Sequence, residues 1–293
     1  MRSASRLSRA LLPLLLLLLL AAVTACERVV TVTAPAAEIR LVVEARLERQ
    51  INRRSPQQRI RLTTTQGAFS DEAPPPARGA QVRVLNAAGT ATSFVESSTD
   101  PGLYLAATLM PLTIGQSLTL QITWEGDVYS ARETMLRAVP IDTLLFTEGP
   151  GIPGLPVGLR GSISFQDPAD VANFYLWEQW VDGVRQVSRD SGSFSRAVLP
   201  DDILNGSMIL EFSPYRGVVV RPGQRVRIRQ YSISQQAFRF YDALSKQTDN
   251  TGSPFGVPSS SVRGNVANIT RPSRLALGYF IASEYAEVER VVP

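Results

Sequence analysis

The 293-residue chain carries 30 basic and 26 acidic side chains, a single cysteine and no histidine. Without histidine the usual general base of hydrolase triads and the commonest transition-metal ligand are missing, and one cysteine permits no intrachain disulfide. Zinc chemistry built on His and Cys is excluded, and oxygen-ligand calcium sites stay open in principle although no metal or other cofactor is expected; stability has to come from packed cores.

In chain order, residues 1–25 read as an export signal: Arg2, Arg6 and Arg9 precede an apolar run from Leu11 to Val23 that ends in small residues. The run falls short of the roughly 18 to 20 residues that cross a bilayer, and Pro13 interrupts it. Val23, Thr24, Ala25 and Cys26 have the order of a bacterial lipoprotein box, which makes Cys26 the expected lipidation site. Each buried methylene of an acyl chain contributes about 0.8 kcal/mol, so two or three chains make release from a bilayer negligible. The expected mature protein is therefore anchored to a membrane without spanning it. Cleavage before Cys26 takes three arginines and no acid from a chain of net charge +4, leaving +1 on 268 residues. That near-neutrality removes the main support for a nucleic-acid partner.

Residues 26–38 form a short lipidated tether. Seven strand patterns follow, Ile39 to Leu47, Gln58 to Thr65, Ala80 to Asn86, Thr90 to Ser97, Gly102 to Ala106, Ser117 to Trp124 and Val128 to Met135, separated by turn formers such as "APPPARG", "TDPG" and "EGD". Apolar residues alternate cleanly at Val82 and Val84 and at Leu118, Leu120 and Ile122, as half-buried strands require. A β-sandwich over residues 39–138 is expected. "TEGPGIPGLPVG", Thr147 to Gly158, is too rich in Gly and Pro for a helix or a central strand, and it lacks the Lys-Ser/Thr order of a phosphate loop.

Residues 139–293 read as a second β-rich domain. Its strand patterns are "LRGSISFQD", "NFYLWEQWVDGVRQVS" with a tight turn at Asp182 and Gly183, "SMILEFSP" and "QRVRIRQYS". Asp201 and Asp202 are adjacent and read as a turn or a helix cap. Ile233, Ala237, Phe240, Tyr241 and Leu244 have helical spacing, so one amphipathic helix is expected near residues 233–246, capped by Ser232 or Ser234. Two strand-like runs at the end are expected to close the second sheet. The fold class is mainly β.

The combination of "LVVEARL", "GAQVRVLNAAGTATSFVES", "PGLYLA", "VPIDTLLF", "NFYLWEQWVDG", "PGQRVRIRQYSIS" with "FRFYDAL", and "NVANI…LGYFIAS" resembles a family of Bacteroidota lipoproteins known as domain of unknown function 4249. The first half also resembles the carboxypeptidase-regulatory-like sandwich, a small immunoglobulin-like fold. The resemblance implies an outer-membrane address and an accessory role beside a TonB-dependent receptor in nutrient uptake, and it supplies no catalytic residues. Glu27, Arg28, Val29 and Val30 after Cys26 lack the acidic run that often marks export to the cell surface, so the leaflet stays open.

Two groups are candidates for recognition. Tyr175, Trp177 and Trp180 offer flat faces for sugar rings, against the alternative that a central strand is apolar on both faces. Arg225, Arg227 and Arg229 share one strand face that suits an anionic glycan or a lipid headgroup, against the alternative of a solvated row paired with carboxylates. The competing class is a carboxylate-dependent glycan hydrolase, which needs Asp167, Asp170, Glu178 or Asp182 to converge in a cleft. A purely adhesive or structural envelope protein is the third reading.

Overall fold

The computed structural model describes residues 38–67, 70, 72–149, 156–169, 171–186, 198–200, 205–249 and 262–293. The expected signal, Cys26 and the tether up to residue 37 lie outside the described residues, as do Asp170, Asp201 and Asp202. By its contacts the chain divides into two units. The fold is carried by Glu38–Gln66 with Ser70–Pro293, and of the other unit only Gly67 is described.

Alternating apolar and polar residues give the first seven strands: β1 (Leu41–Gln50), β2 (Arg59–Thr64), β3 (Gln81–Asn86), β4 (Ala91–Glu96), β5 (Leu103–Ala106), β6 (Ser117–Trp124) and β7 (Asp127–Thr134). Each follows a strand pattern visible in the sequence. Val82, Val84, Leu118, Leu120 and Ile122 all face one enclosed core, because side chains two apart point to the same side of a pleated strand. The second half adds β8 (Thr143–Glu148), β9 (Leu159–Gln166), β10 (Phe174–Val181), β11 (Val184–Arg185), β12 (Val198–Pro200), β13 (Met208–Phe212) and β14 (Arg225–Ser232). Helix α1 (Gln235–Asp249), β15 (Ala267–Asn268) and β16 (Leu277–Val291) complete it.

The turn between β10 and β11 has Asp182 at φ 49° and Gly183 at φ 80°. Two successive left-handed residues match the right-handed twist of a tight hairpin. Helix α1 starts where expected: Ser234 is the cap, its Oγ accepting from the Ala237 amide at 3.2 Å. Ala237 and Phe240 are buried, while Leu244 stays 41% exposed.

The last strand departs from expectation. Instead of closing a second sheet, β16 lies between β1 and β14, parallel to the former and antiparallel to the latter. β15 pairs with β7. The main sheet thus runs β11-β10-β14-β16-β1-β2-β5-β4-β3-β6-β7-β15, and a small sheet β13-β9-β8 accompanies it. Just beyond β7 the chain bridges back to β16, with the Leu136 amide donating to the Ala282 carbonyl at 3.3 Å and the Glu284 amide to the Leu136 carbonyl at 2.9 Å.

Three cores result. The first joins the inner faces of β1 to β7 with Phe280 and Ala282 of β16. The second, beginning at Val139, lies between the small sheet and one face of β10 and β14. The third packs α1 on the opposite face, with Leu176, Tyr231, Tyr279 and Ile281. β16 serves all three, through Phe280 and Ala282 in the first, Val288 packed against the second, and Tyr279, Ile281 and Tyr285 in the third.

Glu133 of β7 ties the start of α1 down. Its Oε1 accepts from Ser234 Oγ at 3.0 Å, the Tyr279 hydroxyl at 3.1 Å and Asn265 Nδ2 at 3.2 Å. Burial still pushes this carboxyl up, outweighing the hydrogen bonds it accepts. The stability it provides is present below the unfolded pKa of about 4.3 and is lost as pH rises through the folded value. Glu133→Gln escapes that loss. Its thermal midpoint relative to wild type should rise as pH goes from 4 to 7, and a flat difference contradicts the assignment.

Gly278 is where β16 meets β1. Its φ is +85°, and a Cβ there would stand 2.1 Å from the Val43 carbonyl oxygen. Gly223 has a similar φ of +86° but open space around it. Gly223→Ala should cost only the left-handed strain, about 1 to 2 kcal/mol. Gly278→Ala adds a backbone clash and should cost more than about 3 kcal/mol or prevent folding, as compared by urea denaturation.

Candidate functional site

The outward face of β1, β2, β10, β14 and β16, walled by α1, forms a groove of 780 Å³. Strand alternation puts Val42, Glu44, Arg46 and Glu48 on this face and their neighbours in the first core. Five arginines and four carboxylates line it, so the groove is close to charge-balanced and does not suit a polyanion. Leu103, Leu244 and Leu277 supply apolar rim.

Glu178 is its electrostatic centre. The residue is 4% exposed, and Oε1 accepts from Arg46 Nη1 at 2.8 Å and from Arg185 Nη2. Its Oε2 stands 3.1 Å from the Tyr231 hydroxyl, which also stands 3.0 Å from Glu48 Oε2. A phenol has one proton, so Tyr231 donates to one carboxylate at a time. Burial alone pushes the Glu178 carboxyl up; the Arg46 and Arg185 guanidiniums outweigh it and hold the carboxyl below its ordinary value. Burial likewise pushes the Tyr231 phenol well up, so it stays a donor. Arg46 also lies 5.2 Å from the Tyr231 ring centroid. In contrast, Arg59 has no ion pair or side-chain hydrogen bond among the described residues, and Arg61 is paired with Asp100 at 2.5 Å.

The aromatic candidates are split by the strand they share. Tyr175 and Trp177 are 0% and 1% exposed and stack at 5.5 Å in the second core, so neither offers a face to a sugar. There Trp177 Nε1 donates to Gln230 Oε1 at 2.8 Å. The physical reason is that β10 is an interior strand sandwiched between the small sheet and α1, hence apolar on both faces. Only Trp180 reaches the groove, and guanidiniums cover it, with Arg227 at 4.5 Å and Arg229 at 5.0 Å from the ring.

The arginine row is matched by β16. Arg225 pairs with Glu289 at 2.9 Å and Arg229 with Glu287 at 2.5 Å, while Arg227 lies 4.0 Å from Glu287. Arg229 also faces Glu48 at 3.8 Å. It is a row paired with carboxylates rather than three free guanidiniums.

The expected acids do not converge. Asp167 is buried, accepting from the Tyr175 hydroxyl and from the Gly206 amide at 3.0 Å. Asp182 holds its turn, accepting from the Arg225 amide at 2.8 Å and Gln224 Nε2 at 3.0 Å. Of the three described, Glu178 alone lines the groove. Sequence reasoning missed Arg46, Glu48, Arg185 and Tyr231. Alternation in "LVVEARLERQ" shows Glu44, Arg46 and Glu48 sharing a face, but their partners come from β10 and β14, far along the chain.

Comparison with protein families places this architecture: residues 27–289 match the model of a domain of unknown function, DUF4249, and the chain belongs to that family. No curated protein matches the chain.

Because Glu178 titrates below its unfolded value, the stability it provides is present above about pH 4.3 and is lost as pH falls through the folded value. Glu178→Gln leaves two guanidiniums short of a counter-charge and should cost about 3 kcal/mol at pH 7. Urea denaturation should show the gap to wild type shrinking toward pH 3. A gap independent of pH removes Glu178 from this role.

Proposed function

We propose that the protein is a lipid-anchored outer-membrane lipoprotein, held through Cys26, that binds a small solute in the groove as an accessory to a TonB-dependent uptake receptor, without catalysis of its own. The anchor is supported by the Val-Thr-Ala-Cys order after the apolar run, and the address and partner rest on what the sequence resemblance to a family of Bacteroidota lipoproteins implies. The observation that carries a binding role is the groove itself. Its central charges are already satisfied by one another, which gives a rigid floor, while Arg59 is left to meet a ligand beside an apolar rim. No described helix is long and apolar enough to cross a membrane, which is compatible with an acyl anchor and says nothing of strands.

The hydrolase reading retains one geometric support. Glu48 and Glu178 both reach the Tyr231 hydroxyl, so their oxygens lie at most about 6 Å apart, within the range of paired glycosidase carboxyls. Such a pair needs one protonated acid at neutral pH. Glu178, held ionised by two guanidiniums, does not supply it.

Cys26→Ser should move the protein from the membrane to the soluble fraction of the envelope, and wild type purified in detergent should bring a TonB-dependent receptor with it. Membrane retention by the variant defeats the anchor. Repeated purification without a receptor defeats the accessory role while leaving the anchor standing.

A further inference from the structure

A second concavity opens at the end of β1 farthest from Leu41. It measures 390 Å³ and is lined by Arg49, Arg53, Arg137 and Glu284, with Ile51 and Ala138 among its remaining walls. We propose that this pocket is an oxyanion site that takes a phosphate-type group, either free or as a monoester.

Three guanidiniums face one carboxylate here, and that carboxylate is already used. Glu284 is 4% exposed; Oε1 accepts from Arg49 Nη2 at 2.7 Å, and Oε2 from the Ala138 amide at 3.3 Å. Arg49 is fixed in turn, since Nη1 donates to the Leu112 carbonyl at 2.7 Å. Its Nε is buried with no acceptor, a donor left unsatisfied in an otherwise satisfied pair. Among the described residues, Arg53 and Arg137 have neither an ion pair nor a side-chain hydrogen bond. Both are exposed, one on the turn that follows β1 and the other on the junction before β8. Two uncommitted guanidiniums on separate segments, over a rigid pair that neutralises itself, give the pocket a net charge of +2. Planar guanidinium donors match the oxygens of a tetrahedral dianion in geometry and in charge.

The groove differs on this point, because there arginines and carboxylates nearly balance. The pocket therefore does not depend on the groove's ligand or on the lipid anchor.

The full chain would be titrated calorimetrically with inorganic phosphate and, separately, with glycerol 3-phosphate at fixed ionic strength. Wild type should bind at least one of them. Arg53→Gln with Arg137→Gln should weaken that binding by about ten-fold or more, whereas Arg59→Gln in the groove should leave it unchanged. Tighter binding of the monoester than of free phosphate identifies an esterified ligand, and equal or weaker binding identifies the free ion; both support the site. Raising the salt concentration should weaken binding, as expected for exposed charges. No binding of either probe to folded wild type, or equal binding by the double variant, overturns the proposal. A circular dichroism spectrum of the double variant that matches wild type rules out misfolding as the cause of a loss.

Discussion

The parallel pairing of β16 with β1 is the constraint on which the rest of the structure depends. It joins Val42 to Leu277 and Gln50 to Tyr285, segments at opposite ends of the described chain. Parallel neighbours cannot be joined by a tight turn, and here the connection between them contains every other described element. Two features at Gly278 make the approach feasible: a left-handed φ and no side chain to strike the Val43 carbonyl. With β16 in place, Phe280 and Ala282 fill the first core while Tyr279 and Ile281 face the third. One strand thus makes two apolar surfaces interdependent, and neither is complete until the C-terminus has been added. Contacts of such long sequence separation close late, since loop entropy has to be lost before they form.

The same strand organises the charges. β16 presents Glu287 and Glu289 two residues apart, opposite the Arg225, Arg227 and Arg229 row of β14. At the exposed end this ladder is worth little, because solvent screens the Arg225 pair. Toward α1 the environment changes. Arg229 and Glu287 are each 20% exposed, and Glu178 is enclosed. Burying such charges costs several kcal/mol per ion, and their mutual attraction offsets that cost only if every lone pair and proton finds a partner. The Arg46–Glu178–Arg185 arrangement meets the requirement at Glu178 through three separate elements, β1, β10 and β11. Well-packed apolar residues would often stabilise as much or more, so stability alone does not account for a charged floor there.

What was legible in the sequence was local. Alternation located β1 to β7, the Asp182-Gly183 pair located a hairpin, and helical spacing with Ser234 located α1, because each signal lies within a few residues of the structure it specifies. The placement of β16 was not legible. "LGYFIASEYAEVERVV" reads as a strand wherever it pairs, and no periodicity within it says that one neighbour is the first strand of the fold. For the same reason the row of arginines was recognisable but its neutralisation was not. A faint signal existed in the matching two-residue spacing of Glu287 and Glu289. The aromatic cluster failed as a sugar platform because β10 is covered on both faces, a property of its neighbours rather than of its own residues.

The two candidate sites follow from one alternation along β1. Val42, Glu44, Arg46 and Glu48 point outward into the groove, while Leu41, Val43, Ala45 and Leu47 point into the first core. Continuing the inner series by one step reaches Arg49, and on β16 the series Phe280, Ala282 continues to Glu284, its register partner. These inner-face positions lie where the apolar core runs out, and a side chain there can be neither fully solvated nor fully packed. An ion pair resolves the conflict: Arg49 and Glu284 face each other at 2.7 Å, and backbone groups at Leu112 and Ala138 satisfy them further. Their charges cancel at the core's edge. The guanidiniums brought in by the flanking turn and junction, Arg53 and Arg137, then stand over a neutral base with no ion pair among the described residues to balance them. The groove and the oxyanion pocket thus lie on opposite faces of a single strand, one floored by central charges that satisfy one another and the other carrying an excess of guanidiniums.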